Sequence, residues 1–482
     1  MMDARALDCR SDPPPRSCLA VVLAAGEGMR MQSARPKVLH ELAGRSMLAH
    51  VLSGLAAAGA TEIAIVVGRA HQASIDEAKR WLPGAEIVVQ NERLGTAHAV
   101  LAAREAIARG YDDVVVGFAD APLVRPETFC AMRRRLAAGD KAVVALGFEA
   151  RAPGGYGRLI LQDGILRAIR EERDATAAER EITLCNAGLM ALAGRHALTL
   201  LGAIGNANSK KEYYLTDIIA VARSRGLEID IEIVSEQEAL GINDREQLAA
   251  AESILQARLR AAAMQGGATL IDPSTVTLSF DTVLGRDTVI EPNVVFAQGV
   301  AIGEGARIRS FSYLEKTTVG PNAVIGPFAR LRPGNTLAPG VHIGNFVELK
   351  ASTIGQGAKI NHLSYIGDAS VGAKTNVGAG TITCNYDGLA KHRTEIGESA
   401  FIGSNSSLVA PVKIGAGAYI GSGSVITEDV APGAMALGRA RQVEKPGRGK
   451  RFRKPDAPEP GLARDETELA NQSAGDNKKD CV

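Results

Sequence analysis

The chain has 482 residues and a formal net charge of +1, with 46% hydrophobic and 23% charged residues. This length and composition predict a globular protein with more than one domain, and the small net charge excludes a global field that would attract nucleic acid or a membrane surface. Aromatic residues make up only 4% and there are 52 glycines, which favours an architecture with many tight corners.

The N-terminus and the cysteines indicate an intracellular protein. Residues 1–17 are polar, include Pro13–Pro15 and lack an apolar signal core, so we predict a disordered leader. No stretch of about 18 apolar residues follows. The six cysteines are scattered without a C-x-x-C pair, which favours reduced thiols and a cytoplasmic location without a membrane partner. They are Cys9, Cys18, Cys130, Cys185, Cys384 and Cys481.

Residues 18–243 alternate short apolar runs with amphipathic stretches. This alternation predicts an α/β domain with a Rossmann-like, mostly parallel sheet and helices on both faces. Such sheets bind ligands at the carboxyl ends of their strands. The predicted strands are Leu19–Leu23, Ile63–Val67, Ile87–Val89, Val114–Val116 and Val143–Leu146, and two predicted helices are Thr96–Arg109 and Glu127–Ala138.

A single helical stretch follows, from Asp244 to about Gln265. Apolar residues recur in it at helical spacing, and Gly266-Gly267 ends it. We therefore predict that residues 244–267 form a helical linker between two domains.

Residues 268–439 carry a six-residue repeat. A period of six sustained over about 140 residues predicts an all-β domain, a parallel β-helix in which each aliphatic residue points inward and three hexads close one coil. Seven or eight coils are expected, with open edges that the linker helix and the C-terminal segment could cap. The inward positions are Leu284, Ile290, Phe296, Ile302, Ile308, Leu314, Val319, Ile325, Leu331, Leu337, Ile343, Leu349, Ile354, Ile360, Ile366, Val371, Val377, Ile396, Ile402, Leu408, Ile414, Ile420 and Ile426.

The last segment, residues 440–482, is rich in Pro, Lys, Arg and Glu and predicts a disordered tail. Its basic cluster, Lys445–Lys454, is interpreted as a solvated segment. Nucleic-acid binding is the less favoured alternative, which strongly salt-dependent retention on nucleic acid would support.

A glycine-rich loop follows the first predicted strand. Gly26 and Gly28 allow the backbone to approach a phosphate closely, while Arg30 and Lys37 supply positive charge for a triphosphate. The loop matches neither G-x-G-x-x-G, because Met31 takes the last position, nor the Walker pattern. By itself it could equally be an ordinary strand–helix turn.

With Pro36-Lys37 after it, this loop resembles the signature loop of the sugar-1-phosphate nucleotidyltransferases. The segments Gly326–Gly334, Gly344–Glu348 and Gly378–Gly388 narrow the resemblance. They closely resemble one family, the bifunctional N-acetylglucosamine-1-phosphate uridylyltransferases/glucosamine-1-phosphate acetyltransferases. The resemblance runs from about Leu19 to Arg439 and implies left-handed coils, a homotrimer, and acetyl-transfer sites built between subunits.

The resemblance implies that N-acetylglucosamine-1-phosphate attacks the α-phosphorus of UTP and that pyrophosphate leaves. It implies Mg²⁺ held by Asp120 and Asn243, uracil read by Gln90, Gly95 and Thr96, and a sugar pocket at Gly157, Glu171 and Asn186. Leu23, Ala24, Ala25, Gly26, Arg30 and Lys37 match the nucleotide-binding loop. Without the resemblance, Asp120 reads as a turn residue before Pro122. Two departures stand out: Glu27 replaces a frequent Lys, and Phe118-Ala119 replaces Tyr-Gly.

For the second domain the resemblance implies acetyl transfer from acetyl-CoA to glucosamine-1-phosphate, with His362 as general base. We expect Glu348 to orient its ring. Arg332, Lys350 and Lys391 match positions that hold the sugar phosphate; Tyr365, Asn376, Asn385 and Tyr386 match sugar-side and acetyl-CoA-side positions; Ala379, Ser404, Ser422 and Arg439 match the cofactor groove. The product would supply peptidoglycan and lipopolysaccharide precursors.

Besides nucleic-acid binding, two alternative functions are weighed at this stage, together with two other roles for individual residues. The β-helix could be only an oligomerising scaffold, but it would then not need Arg332, Lys350, His362 and Tyr386 together. A non-catalytic assembly protein should have lost Gly26, Lys37 or Asp120, and all three are present. A metal site at His342 and His362 is disfavoured because the two residues hold different positions in their hexads, and Cys384 is not expected to be a nucleophile because acetyl-CoA is already activated.

Overall fold

The computed structural model describes residues 16–69 and 71–449. The predicted leader up to residue 15 and the tail from residue 450 lie outside the described residues, as do Cys9, Cys481 and the end of the basic cluster. The prediction of a disordered leader is wrong for Arg16 and Ser17. Arg16 Nη2 lies 2.6 Å from Oδ1 of the buried Asp113, and the Ser17 amide donates to Asp112 Oδ2 at 2.8 Å.

The N-terminal domain is built on one mixed sheet, in the order β11-β7-β10-β6-β1-β4-β5, with the β8–β9 hairpin beside β10. Neighbouring strands along this order are parallel except on both sides of β10. The predicted, mostly parallel sheet is therefore confirmed, with one reversed strand. The strands are β1 Cys18–Leu23, β2 Glu41–Leu42, β3 Arg45–Ser46, β4 Glu62–Gly68, β5 Glu86–Gln90, β6 Asp113–Phe118, β7 Val143–Glu149, β8 Arg158–Gln162, β9 Ile165–Arg170, β10 Leu184–Ala193 and β11 Ile229–Val234.

Helices bury an apolar cluster on each face of this sheet. The predicted helix over 96–109 is two helices that meet at Ala103, and a 3₁₀ turn at Met29–Met31 and another at Lys37–Leu39 shape the loop after β1. The helices are α1 Met47–Ala57, α2 Gln72–Trp81, α3 Thr96–Ala102, α4 Arg104–Ala108, α5 Pro126–Ala137, α6 Ala177–Arg180, α7 Gly194–Leu201 and α8 Ile218–Ser224.

The linker helix α9 spans Arg245–Gln265. The Asp244 side chain caps it by accepting from the Gln247 amide at 2.9 Å. Arg258 donates to the Leu123 carbonyl in the N-terminal domain at 2.6 Å, and Gln256 Nε2 donates to the Leu278 carbonyl, just before the repeats, at 2.6 Å. Because Leu259 and Ala263 on α9 pack against the core of the repeats, the helix covers the first coils.

The repeats form three parallel sheets of ten, eight and eight strands, here called faces 1, 2 and 3, and the chain visits them in turn. The structure thereby confirms the predicted β-helix. Face 1 contains β12 Thr269–Leu270, β14 Val289–Ile290, β17 Arg307–Ile308, β20 Val324–Ile325, β23 His342–Asn345, β26 Lys359–His362, β29 Asn376–Val377, β32 Phe401–Ile402, β35 Tyr419–Ile420 and β37 Met435–Ala436. Face 2 contains β15 Val295–Phe296, β18 Tyr313–Leu314, β21 Arg330–Leu331, β24 Glu348–Lys350, β27 Tyr365–Gly367, β30 Ile382–Cys384, β33 Ser407–Val409 and β36 Val425–Ile426. Face 3 contains β13 Val283–Leu284, β16 Ala301–Ile302, β19 Thr317–Val319, β22 Asn335–Leu337, β25 Thr353–Ile354, β28 Ala369–Val371, β31 Thr394–Ile396 and β34 Val412–Ile414.

The predicted inward residues form the core of this domain. All of them are buried except Leu284, which packs against the core from a partly buried position. The chain up to Gly438 forms one compact unit, and a second unit begins at Arg439.

Candidate active sites

The glycine-rich loop sits at the carboxyl edge of the N-terminal sheet. The Ala24 amide donates to the Val66 carbonyl at 2.8 Å, and the Leu23 carbonyl accepts from Ala119 at 3.1 Å, so strands on either side fix the start of the loop. Gly28 has a φ of +64°, and a Cβ there would lie 2.4 Å from Lys37 Cβ. Only glycine fits this position, because any side chain would be strained and would displace Lys37.

Lys37 joins the two predicted metal ligands. Its Nζ lies 2.5 Å from Asp120 Oδ2 and 2.8 Å from Asn243 Oδ1. The Ile242 amide donates to the Asp120 carbonyl at 2.8 Å, which holds the two distant segments together. One carboxylate and one amide oxygen thus converge on a single cation.

A cavity of about 350 Å³ opens beside this cluster. It is rich in cationic side chains, as a triphosphate site requires. Its lining residues are Glu27, Gly28, Met29, Arg30, Lys37, Arg93 and Asn243.

The residues predicted to read uracil lie at the end of β5 and just after it. Gln90 is buried, and Gly95 has a φ of +116° with a hypothetical Cβ only 2.5 Å from the Tyr213 carbonyl oxygen. Thr96 Oγ1 accepts from the Leu215 amide at 2.8 Å. The segment around Tyr213 therefore packs directly on this loop, so the backbone at Gly95 has no room for a side chain.

The predicted sugar pocket lies at the same edge of the sheet, because β10 runs antiparallel and begins where β6 ends. The Asn186 amide donates to the Gly157 carbonyl at 2.8 Å, and Asn186 Oδ1 accepts from Gly188 at 3.1 Å. Glu171 Oε1 accepts from Thr216 Oγ1 at 3.1 Å, and burial raises the pKa of the Glu171 carboxyl more than this bond lowers it.

Sequence reasoning missed the segment Glu212–Thr216. It contacts the predicted uracil-binding loop through Tyr213 and Leu215 and the predicted sugar pocket through Thr216, so it joins the two groups of predicted residues. The feature of the sequence that could have indicated this segment is the group of two tyrosines and a threonine shortly before α8, which matches no motif considered above.

In the β-helix, His362 ends β26, and its registered neighbour one coil earlier is Asn345. His362 Nδ1 lies 2.6 Å from Asn345 Oδ1. Because an amide oxygen only accepts, Nδ1 is the donor of this bond, and the neutral tautomer that makes it carries its lone pair on Nε2. The expectation that Glu348 orients the ring is wrong: Glu348 Oε1 accepts instead from Arg332 Nη1 at 3.0 Å.

The corner between faces 1 and 2, here called the histidine corner, carries a continuous ladder of backbone hydrogen bonds. Leu363 donates to Asn345, Gly380 to His362, Asn405 to Ala379 and Gly423 to Ser404, at 2.7–3.2 Å. The ladder aligns the predicted base with the predicted cofactor groove on successive coils. The aligned residues are His362, Ala379, Ser404 and Ser422.

The corner between faces 2 and 3, here called the lysine corner, holds a polar cluster around Asp368. Lys350 Nζ lies 2.9 Å from Asp368 Oδ2, and Asn385 Nδ2 donates to the same oxygen at 2.5 Å. The hydrogen bond to Asp368 raises the pKa of Lys350. Burial raises the pKa of Asp368, but the bonds from Lys350 and Asn385 outweigh it and lower the pKa overall. Asp368 was not predicted from the sequence.

The insertion between β30 and β31 starts from the lysine corner. Lys391 lies near Lys350, and the hydrogen bond from Lys350 together with its positive charge lowers the pKa of Lys391. Asn385 Nδ2 also reaches Tyr365 Oη at 3.4 Å, whereas Tyr386 is exposed and donates to the Gly388 carbonyl at 2.7 Å. The insertion thus brings its own polar groups to Lys350 and projects an aromatic ring outward.

Two predicted residues stand apart from these clusters. Asn376 lies on face 1, on the strand next to that of His362, registered with Lys359 and Phe401. Arg439 belongs to the second compact unit. In the described part of the chain, no group of three or more His, Cys, Asp or Glu side chains could hold a metal ion, and the four cysteines form no disulfide.

Comparison with known proteins identifies both halves. The family model described as MobA-like NTP transferase domain matches residues 20–271, and the model described as bacterial transferase hexapeptide (six repeats) matches residues 281–316 and 393–428. The protein named Bifunctional protein GlmU from Bradyrhizobium sp. (strain ORS 278) is 60% identical over 438 residues, covering 91% of this chain and 98% of its own length. The chain belongs to the GlmU family.

Two further proteins named Bifunctional protein GlmU are similar to this chain over almost the same length. Those from Azorhizobium caulinodans and Xanthobacter autotrophicus are each 60% identical and cover 90% and 91% of this chain and 96% and 98% of their own lengths. As in the GlmU family, the chain is a bifunctional enzyme of UDP-N-acetylglucosamine synthesis, with uridylyltransferase and acetyltransferase activities. Among the described residues, no helix is both long and apolar enough to cross a bilayer.

Proposed function

We propose that uridylyl transfer takes place at the cavity beside Lys37. The observation that supports this most directly is the convergence of Lys37, Asp120 and Asn243 at the carboxyl edge of the sheet, next to the glycine-rich loop. Backbone amides of the loop, with Arg30 and Lys37, bind the triphosphate of UTP. Gln90, Gly95 and Thr96 bind uracil, while Gly157, Glu171 and Asn186 bind N-acetylglucosamine-1-phosphate.

The reaction needs position and charge more than a protein base. An oxygen of the sugar phosphate attacks the α-phosphorus of UTP, the bond to the β-phosphate breaks, and pyrophosphate leaves with the electron pair. Asp120 and Asn243 fit Mg²⁺ because both offer oxygen and already converge on a cation, and Mg²⁺ keeps several waters when it has few protein ligands. When bound, the ion neutralises phosphate charge.

At the β-helix, His362 is the base for acetyl transfer. Its Nε2 accepts a proton from the amine of glucosamine-1-phosphate as the nitrogen attacks the thioester carbonyl of acetyl-CoA. A C–N bond forms, the C–S bond breaks, and His362 returns the proton to the leaving sulfur, so that CoA departs as the thiol. The bond between His362 Nδ1 and Asn345 supports this role because it leaves Nε2 free to accept. Ala379, Ser404 and Ser422 contribute to acetyl-CoA binding, and the role of Arg439 stays a prediction from the sequence.

The sugar phosphate binds at the lysine corner, through Arg332, Lys350 and Lys391, with Tyr365, Asn376, Asn385 and Tyr386 around the sugar and the acetyl group. Within one chain the base and the lysines occupy different corners of the prism, separated by face 2. We therefore propose that the enzyme is a homotrimer in which the lysine corner of one subunit meets the histidine corner of another.

We also propose that the enzyme works in the cytoplasm, where UTP and acetyl-CoA are available, and that its product supplies peptidoglycan and lipopolysaccharide synthesis. We further propose that residues 18–243 and 268–439 are the two catalytic domains and that residues 244–267 join them.

A split assay tests both sites in one preparation. Purified protein receives glucosamine-1-phosphate, acetyl-CoA, UTP and Mg²⁺, and free CoA and pyrophosphate are followed separately. His362→Ala should lose CoA release but still release pyrophosphate from added N-acetylglucosamine-1-phosphate, and Asp120→Ala should do the reverse. Wild-type protein that releases pyrophosphate but never CoA would mean that the β-helix is only a scaffold.

A further inference from the structure

An ion pair crosses the mouth of the nucleotide cavity. Glu27 Oε1 on the glycine-rich loop pairs with Arg93 Nη1 on the segment between β5 and α3. Both side chains line the cavity beside Arg30 and Lys37. Glu27 is therefore a negative charge in a site for a polyanion, and Arg93 is the residue that neutralises it.

The segment that carries Arg93 is fixed at both ends. Asn91 Oδ1 accepts from Arg69 Nε at 2.9 Å, and the Leu94 carbonyl accepts from the Tyr213 amide at 2.7 Å. The guanidinium reaches the carboxyl end of β4, since a Cβ on Gly68 would lie 3.3 Å from Arg93 Nη2. The backbone is thus held in place while the charged end of the side chain lies at the edge where ligands bind.

The pair is weak enough to exchange. The side chains of Arg93 and Glu27 are 46% and 56% exposed, and exposed ion pairs contribute little net stability because water screens them. A triphosphate offers several negative charges and bidentate geometry for a guanidinium, so it competes well against one carboxylate.

We propose that Arg93 binds the pyrophosphate portion of the nucleoside triphosphate, and that Glu27 holds Arg93 in the empty site and releases it when the nucleotide enters. This inference rests on the uridylyl-transfer site proposed above. The sugar phosphate should not compete for Arg93, because its pocket adjoins β10, whereas Arg93 follows β5 at the other end of the sheet. Once Arg93 has left Glu27, its guanidinium supplies the positive charge that position 27 of the loop lacks.

The proposal makes opposite predictions for the two partners. Arg93→Gln should raise the KM for UTP, and the KM for pyrophosphate in the reverse direction, by about tenfold, which corresponds to one lost charge-assisted contact. Glu27→Gln should lower both KM values a few-fold, because Arg93 no longer has to leave a carboxylate. The KM values for N-acetylglucosamine-1-phosphate and UDP-N-acetylglucosamine should stay at the wild-type level in both variants.

A matched control comes from another exposed arginine, Arg109, which directly follows α4. Arg109 pairs with Glu62 at 3.0 Å and with Glu86, at the amino ends of β4 and β5, on the opposite edge from the cavity. Arg109→Gln removes the same kind of pair and should leave every KM unchanged. Equilibrium binding of inorganic pyrophosphate with Mg²⁺ to each variant gives a readout that does not depend on turnover.

Two results would overturn the proposal. Arg93→Gln could bind pyrophosphate and UTP as the wild type does, or Glu27→Gln and Arg93→Gln could both weaken binding equally, which is the behaviour of a purely structural ion pair. Wild-type protein that binds pyrophosphate through Arg93 but releases none from UTP and N-acetylglucosamine-1-phosphate would instead contradict the uridylyl-transfer assignment and leave the Arg93 contact standing.

Discussion

Asn345 offers the sharpest test of how the β-helix performs acetyl transfer. Its amide oxygen accepts from His362 Nδ1 at 2.6 Å, and the two residues are registered neighbours on successive coils. Asn345→Ala removes this acceptor without touching the base itself. The proton on the ring is then free to move to Nε2, the nitrogen that must accept from the substrate amine.

The size of the effect follows from the bond that is lost. A hydrogen bond between neutral groups contributes about 0.5–1.5 kcal/mol net, which corresponds to a decrease of about 2- to 13-fold in kcat for acetyl transfer. Removing the base with His362→Ala should cost about 10²–10⁴-fold. Asn345→Asp keeps an acceptor at the same place, so acetyl transfer should be retained in this variant.

The assay is the release of CoA thiol at saturating glucosamine-1-phosphate and acetyl-CoA, measured against pH for the wild type and the three variants. Pyrophosphate release by the same preparations serves as the internal control and should not change. Wild-type acetyl transfer by Asn345→Ala would refute the reasoning, because ring orientation would then not depend on this amide. A parallel loss of both activities would indicate unfolding rather than a misplaced proton.

Three more predictions concern other parts of the chain. Asp368→Asn should raise the KM for glucosamine-1-phosphate several-fold with little change in kcat, because Lys350 loses the carboxylate that positions it, and initial-rate kinetics measure this. Phe280→Ala should lower the unfolding free energy by about 2 kcal/mol and change the emission of Trp81, the single tryptophan, whose ring lies edge-on at 5.5 Å; thermal melts followed by fluorescence test both. Burial lowers the pKa of His50 to about 4, so below about pH 6.5 the unfolded chain binds a proton at this residue that the folded protein does not bind. The melting temperature should therefore fall as the pH drops from about 6.5 to 4, with a loss of at most about 3 kcal/mol in the free energy of unfolding, and His50→Gln should reduce this dependence on pH.

The repeat domain was predictable because one physical requirement recurs at every coil. Each hexad must bury one aliphatic residue, so positions such as Ile302 and Ile360 could be assigned to the core from spacing alone. In the N-terminal domain the apolar runs located β1, β4, β5, β6 and β7, but β10 was not among the predicted strands, and its reversed direction could not be read from the sequence. Strand direction depends on how the chain returns to the sheet, and both directions bury the same residues.

The site residues that were missed are those whose role depends on stacking. Asn345 and Asp368 are unremarkable in the sequence, yet they lie 17 and 18 residues from His362 and Lys350, which is one turn of the coil. A search at the coil spacing would have found both. The assignment of Glu348 to His362 failed for the same reason, since the register places Glu348 beside Tyr365 and its charge is taken by Arg332.

The Glu27–Arg93 pair illustrates a different limit of sequence reasoning. Glu27 was recognised as a departure from the family loop, but its partner lies 66 residues later on a separate segment. Nothing local in the sequence joins them, because contact arises only when β4 and β5 add to the sheet beside β1. Compensation of this kind becomes visible only in three dimensions.

The ladder of the histidine corner also sets an order in which the enzyme should lose function on heating. Coils of a solenoid contact only their immediate neighbours, so the last coils fray before the middle ones. Ser422 and Ser404 lie toward the C-terminal end of this corner, whereas His362 has coils packed on both sides. We therefore expect the affinity for acetyl-CoA to decrease at temperatures at which His362 is still held in place. Excess acetyl-CoA should then protect acetyl transfer, because its binding stabilises the folded form of the last coils.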